Sequence, residues 1–293
     1  MRRLAAAAAA LLLAGCSAPR PEPSPPSEPA PPPSSAVAPE AIRYVALGDS
    51  AASAPLVPDR APPTGCLKST NNYPSVLARA LSARLVDVTC SGARTPDLVD
   101  RAQRTFAGPV PPQLDAVGAD TQLVTITIGG NDVDLASTAS RCRRDALDAP
   151  PCAAELLADG DVVSAAITAA AAGWSELVDA VRARAPHARV VLVGYGTFIR
   201  PGGCFPAQPV HPADADYFQA KVDELDDRQR QVAADEGVDF FDVRTISAGH
   251  DMCAPPDQRW IEGFVLAHAA APLHPNRFGA AAVGEALAHH LRR

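Results

Sequence analysis

The stretch "LVTITIGGNDVD" (residues 123–134) decides the fold. Its first six residues (123–128) are leucine, valine, isoleucine and threonine, a mostly β-branched run suited to a strand buried on both faces. Two glycines and Asn131 then break it in a tight turn. Four other runs read the same way: "IRYVAL" (42–47), "RLVDV" (84–88), "RVVLVG" (189–194) and "VDFFDV" (238–243). Helical patterns lie between them. In 161–185, Val163, Ile167, Trp174, Leu177, Val178 and Val181 share one stripe, and Pro186 ends the run. Residues 214–236 start at Asp214 and carry Phe218, Val222 and Leu225 on one face. A last helix is expected over 275–290, with Pro275 at its start. Such alternation predicts an α/β chain, a three-layer α/β/α sandwich around a parallel sheet. Function in these sheets gathers at the C-terminal ends of the strands.

Bulk properties narrow the classes. The formal charge of the 293-residue chain is −7, with no basic block beyond the extreme N-terminus, which argues against a nucleic-acid partner. Arg2 and Arg3 precede an Ala/Leu run over 4–14 that is too short to span a membrane as a stable helix. The run closes on "LAGC", which resembles a bacterial lipoprotein signal over 1–15 with Cys16 lipidated; an ordinary secretory signal is the alternative. On the first reading the chain is held to the outer face of the cell membrane through Cys16. Residues 16–40, rich in proline and serine, make an extended spacer, and the folded domain is expected over 41–293. Setting Cys16 aside leaves six cysteines, an even number in a chain expected to be exported. Fifteen pairings are possible. Short loops favour Cys66–Cys90, Cys142–Cys152 and Cys204–Cys253, and closing a loop the size of the first contributes roughly 3 kcal/mol. No CxxC pair or HExxH spacing points to a metal.

Three strand ends and the approach to the last helix carry polar groups or a turn glycine. "GDS" puts Ser50 after the first strand, where it is either a nucleophile or a helix cap. Gly92 follows the second strand, where a missing Cβ lets a backbone N–H approach a ligand. Asn131 follows the third, and His274 stands in "HPN" before the last helix. Singly, each has an ordinary structural explanation. Together, a hydroxyl, a base and two neutral donors are the parts acyl transfer needs.

In order and spacing these segments resemble the four blocks of the SGNH (GDSL-type) hydrolase family: Gly48-Asp49-Ser50, Gly92, Gly129-Gly130-Asn131-Asp132 and His274-Pro275-Asn276. The likeness covers 42–293, and the cysteines together with "GHDMCAPPDQRWIEG" (249–263) resemble the secreted actinobacterial branch with three sequential disulfides. The resemblance implies a flavodoxin-like fold with a five-stranded parallel sheet of order 2-1-3-4-5, and no metal or organic cofactor. It further implies Ser50 as nucleophile, His274 as base, and an oxyanion hole of the Ser50 and Gly92 N–H groups with the Asn131 amide. A monomer acting on an ester substrate is expected, either an acyl lipid or an acylated glycan. Envelope polysaccharide deacetylation and a non-catalytic binding scaffold are the alternatives.

Three departures stand out. Ala51, Ala52, Ser53 and Ala54 follow the serine where relatives often have a bulky residue and then glycine. Asp134 replaces a common glycine, which is expected to alter cleft charge. Ala271 occupies the position where relatives usually carry the triad aspartate. In serine proteases, changing that acid to its amide costs about 10⁴ in turnover, largely through the wrong tautomer. A carbonyl only accepts, so it would still select the productive tautomer. The expectation is a Ser50–His274 dyad oriented by the Ala271 carbonyl, with the His274 pKa near the free value of about 6.5. A carboxylate from Asp251 or Asp257 at His274 Nδ1 would contradict it.

Overall fold

The computed structural model describes residues 41–293. The signal segment 1–15, Cys16 and the spacer 16–40 lie outside the described residues. The strands are β1 (Arg43–Gly48), β2 (Arg84–Asp87), β3 (Gln103–Thr105), β4 (Gly108–Val110), β5 (Leu123–Thr127), β6 (Arg189–Val193) and β7 (Asp239–Phe241). Five form a parallel sheet in the order β2-β1-β5-β6-β7, so all five expected strands and their expected order are present. β3 and β4 make a separate antiparallel hairpin that the sequence reading did not anticipate.

The helices are α1 (Ser50–Ser53), α2 (Tyr73–Leu81), α3 (Thr95–Val99), α4 (Leu135–Arg141), α5 (Cys152–Leu157), α6 (Val162–Arg184), α7 (Pro212–Asp235), α8 (Val243–Ser247) and α9 (Arg277–Leu291). Alternate residues of each strand serve two cores. Val45, Leu47, Val124, Ile126 and Leu192 pack with Trp174, Leu177, Val181, Val222 and Leu225 of α6 and α7. On the other face, Tyr44, Ala46, Val191 and Val193 pack with Tyr73 and Leu77 of α2 and Leu287 of α9. The two threonines of β5 do not leave that second core with unmade bonds. The Thr125 hydroxyl pairs with the Tyr44 hydroxyl at 2.7 Å, and Thr127 with Tyr73 at 2.9 Å.

Two helix starts differ from expectation for local reasons. Asn276, not Pro275, caps α9, because its side chain accepts from the Phe278 and Gly279 N–H groups at 2.9 and 3.1 Å. In α7, His211 caps and the helix opens on Pro212, two residues before Asp214. The disulfides are Cys66–Cys90, Cys142–Cys152 and Cys204–Cys253, the neighbour pairing favoured by short loops.

The second layer depends on close approach of α2 and α9. A Cβ on Gly284 would lie 2.6 Å from Val76 Cβ and 2.8 Å from the Tyr73 carbonyl oxygen. Gly284→Ala is therefore expected to lower stability by about 1–3 kcal/mol through overpacking, although alanine is the better helix former. Urea denaturation of the two proteins measures the difference.

Candidate active site

β1 ends at Gly48, where a Cβ would sit 2.5 Å from the Thr127 carbonyl oxygen, so only glycine fits between β1 and β5. Asp49 follows in extended conformation and caps α1 by accepting from the Ala51 N–H at 2.9 Å. That leaves partly buried Ser50 as the first residue of the helix. The backbone of Gly48 is also held from the side. Its N–H donates to Gln113 Oε1 at 2.7 Å, and Gln113 Nε2 donates back to its carbonyl at 2.9 Å.

At the end of β2, Gly92 has φ +82, a left-handed conformation that suits glycine. At the end of β5, Asn131 Nδ2 donates one hydrogen to the Ala93 carbonyl at 3.0 Å, which orients the amide and leaves its second hydrogen unassigned. Asp132 accepts from the Thr95 N–H and hydroxyl and from the Trp174 indole N–H. Asp134 does not bear on the cleft as expected. It adopts the left-handed conformation (φ +51) that a glycine would take freely, and its exposed carboxylate pairs with Arg94.

A residue missed in the sequence joins these ends. Tyr195, after β6, donates its hydroxyl to Asp49 Oδ2 at 2.6 Å and accepts the Gly130 N–H at 2.7 Å. Burial pushes the Asp49 carboxyl up to about 7, while the Tyr195 hydroxyl and the Ala51 N–H pull against it. Burial also pushes the Tyr195 hydroxyl well above its ordinary value, helped by the neighbouring Asp49 charge. Nothing local in "VGYGTF" (193–198) distinguishes this tyrosine from a core aromatic.

His274 Nδ1 lies 2.7 Å from a backbone carbonyl, but that carbonyl belongs to Pro272. The expectation for Ala271 is thus off by one residue. Leu273 has φ +63 and turns the chain so that the carbonyl before it meets the ring after it. Ala271 instead donates its N–H to the Pro55 carbonyl at 2.9 Å. Since a carbonyl cannot donate, Nδ1 carries the hydrogen, and neutral His274 presents its lone pair at Nε2. Burial pushes the His274 pKa below its ordinary value, and the Pro272 carbonyl works the other way. Asp251 is engaged elsewhere, with Arg200 and the Cys253 N–H. Asp257 lies exposed, and among the described residues the Pro272 carbonyl is the partner of His274 Nδ1.

The loop bearing His274 is held by Glu262, also missed in the sequence. Its N–H donates to the His274 carbonyl at 3.0 Å, and its own carbonyl accepts the Leu273 N–H at 2.9 Å. Its carboxylate, fully buried, accepts from the Ala267 N–H at 2.6 Å and from Asn276 Nδ2 and His268 Nδ1, each at 2.8 Å. Burial alone would raise this carboxyl, but the donors outweigh it and hold it below the ordinary range.

Ser50, Asn131 and His274 line one cleft with Asp49, Tyr195 and Phe198 among the remaining walls. Gly92 does not line it, and its loop reaches the site through Ala93. Leu135, Phe218 and Leu273 also line a small neighbouring apolar pocket with Val163, Ile199 and Met252. A hydroxyl, an imidazole with a free Nε2 and an oriented amide beside an apolar cavity can together open an acyl ester.

Residues 46–282 match the GDSL-like Lipase/Acylhydrolase family. "Lipase 2" of Streptomyces coelicolor is 41% identical over 246 residues, 80% of this chain and 81% of that protein. A lipase of Streptomyces rimosus is 33% identical over 217 residues, covering 73% and 75%. Among solved structures, phospholipase A1 from Streptomyces albidoflavus superposes with TM-score 0.71 at 25% identity, across 86% of this chain and 100% of that one. The extracellular lipase of Streptomyces rimosus gives TM-score 0.69 at 31% identity over the same shares.

Two outcomes follow from the buried carboxylates. Asp49 and Asp226 both stand at about 7 in the fold, against an ordinary 3.8, with burial as the main cause. The folded state keeps their protons longer, so their contribution is complete below the ordinary value and is lost as pH rises through about 7. Denaturation at pH 5 and pH 8 is expected to show this fall, and Asp226→Asn should shrink it. Glu262→Ala strands the Asn276 and His268 donors and should cost about 1–3 kcal/mol per unsatisfied group, read by thermal melting.

Proposed function

The chain belongs to the GDSL-like lipase/acylhydrolase family and is a carboxylic ester hydrolase, and on that premise we propose a Ser50–His274 dyad working through an acyl-enzyme. In this reading His274 Nε2 takes the Ser50 hydroxyl proton as Oγ attacks the ester carbonyl. The oxyanion is met by the Ser50 N–H and by the spare Asn131 Nδ2 hydrogen, and the family resemblance adds the N–H of Gly92, which stands outside the cleft walls. His274 returns the proton to the departing alcohol, and a water activated the same way then releases the acid. The observation that carries the reading is the 2.7 Å contact of His274 Nδ1 with the Pro272 carbonyl. It supplies the tautomer a triad acid would select, without an acid.

The apolar lining that Leu135, Phe218 and Leu273 give the cleft suits an acyl chain better than an acetyl group on a glycan, which supports lipase chemistry ahead of deacetylation. The proposal also places the domain at 41–293 and the chain outside the cytoplasm, held through a lipid on Cys16. Pairing of all six remaining cysteines supports export.

Hydrolysis of p-nitrophenyl esters of increasing acyl length tests the site. Ser50→Ala and His274→Ala should each lower kcat at least about 10³-fold. Asn131→Ala should cost about 10²–10³-fold, the usual loss for one oxyanion donor. The base acts only when neutral, and burial lowers its pKa, so kcat/KM should fall with acid only below the free imidazole value of about 6.5. Full activity in Ser50→Ala removes the mechanism.

A further inference from the structure

The loops on either side of the reacting pair carry almost no charge. Residues 51–58, "AASAPLVP", run on from Ser50, and residues 263–273, "GFVLAHAAAPL", run into His274. Neither contains Asp, Glu, Lys or Arg, although charged residues make up 20% of the chain. The loops lie side by side, joined by the Ala271 N–H to Pro55 carbonyl bond of 2.9 Å.

Their exposed side chains are large and apolar: Leu56 is 41% exposed, Val265 53% and Leu266 47%. Pro58, Ala267, Ala269 and Pro272 are exposed beside them in sequence. These positions add nothing to either core, and an apolar strip of this kind on a soluble surface marks an interaction site. The same loop also faces inward. Phe264 lines the apolar cavity behind the cleft, and Leu273 lines both cavity and cleft. One segment therefore presents apolar side chains outward and also lines the walls at the reacting pair.

We propose that loops 51–58 and 263–273 form a fixed docking face for a lipid surface, from which an acyl chain passes into the cleft. The proposal rests on the Ser50–His274 reading for the fate of that chain, but the docking itself does not require catalysis. The place of the strip beside Ser50 and His274, in a chain of a lipase/acylhydrolase family, argues for lipid, since an acyl ester held at this face lies next to the reacting pair. Absence of charge on the strip, on a chain of net charge −7, means that docking works by burial of apolar surface and not by attraction to anionic headgroups.

The test compares two substrates: p-nitrophenyl acetate free in solution, and a long-chain diacylglycerol in phosphatidylcholine vesicles. The double variant Val265→Glu/Leu266→Glu should lose at least tenfold on vesicles and stay within twofold on the acetate. Leu266→Lys should lose as much as Leu266→Glu, because either charge must be desolvated at an uncharged surface. Ile42→Glu, an exposed apolar site at the opposite end of β1, should lose nothing. Parallel losses on both substrates, no loss on vesicles, or recovery with lysine would each overturn the proposal. A dimer that the double variant dissolves would assign the face to a second copy and overturn it likewise. Hydrogen exchange of the full chain provides an arm independent of turnover. Amides in 51–58 and 263–273 should gain protection on phosphatidylcholine vesicles, and unchanged exchange there rejects docking even if no ester is cleaved.

Discussion

The hydrogen bonds around Asp49 are the constraint on which the site depends. This carboxylate is 1% exposed, yet its bonds link three strand ends, one of them through Tyr195. It caps α1 directly through the Ala51 N–H, and through the Tyr195 hydroxyl it reaches the Gly130 N–H that precedes Asn131. Ser50 and Asn131 sit on different loops, and loops are the mobile parts of an α/β sheet. A buried chain of short bonds fixes their separation as no pair of exposed side chains could. Its cost is visible in the same residue, whose carboxyl is pushed up to about 7 by burial. The sheet thus accepts a strained ionisation to hold the nucleophile and the amide in register.

The base is held by a different device. A triad acid both selects the imidazole tautomer and stabilises the cation that forms. The Pro272 carbonyl performs the first task through one bond, and nothing ionic is present for the second. The lowered His274 pKa agrees with that arrangement: burial disfavours the cation and no neighbouring charge compensates. Orientation is secured one step away, where the buried Glu262 carboxylate grips Asn276 and His268 while its backbone brackets His274. A charge retained for geometry has taken the place of one retained for chemistry.

How much of this was legible in the sequence follows from the range of each interaction. Strands such as 123–128 and 189–194 are set by local β-branched runs, and all five appear in the expected order. Ser50 and Asn131 stand in short motifs at strand ends and His274 in one before the last helix, and the fold brings them to one cleft. Tyr195 and Gln113 were missed because each acts through partners far along the chain, and Glu262 because its nearer partners, Ala267, His268 and Asn276, follow no regular spacing. The Tyr195–Asp49 bond spans 146 residues, and no pattern near either residue announces it. Ala271 was chosen for its place in the family motif, whereas the backbone turn at Leu273 decides which carbonyl meets the ring. The hairpin of β3 and β4 is too short, at three residues each, to show alternation.

The missing acid and the uncharged loop answer to one constraint. A carboxylate in 263–273 would stand in a segment whose exposed residues are apolar and whose inward residues line an apolar cavity. Removing such a group from water costs several kcal/mol unless it is fully paired, and the partner here would be an imidazole already disfavoured as a cation. A peptide carbonyl carries no net charge and can be taken from water at far lower cost once it accepts a hydrogen bond. The loop can therefore face an apolar phase and still orient its base. The carbonyl gives up the electrostatic help of an acid, and in exchange the residues beside His274 carry no charge that a lipid surface would exclude.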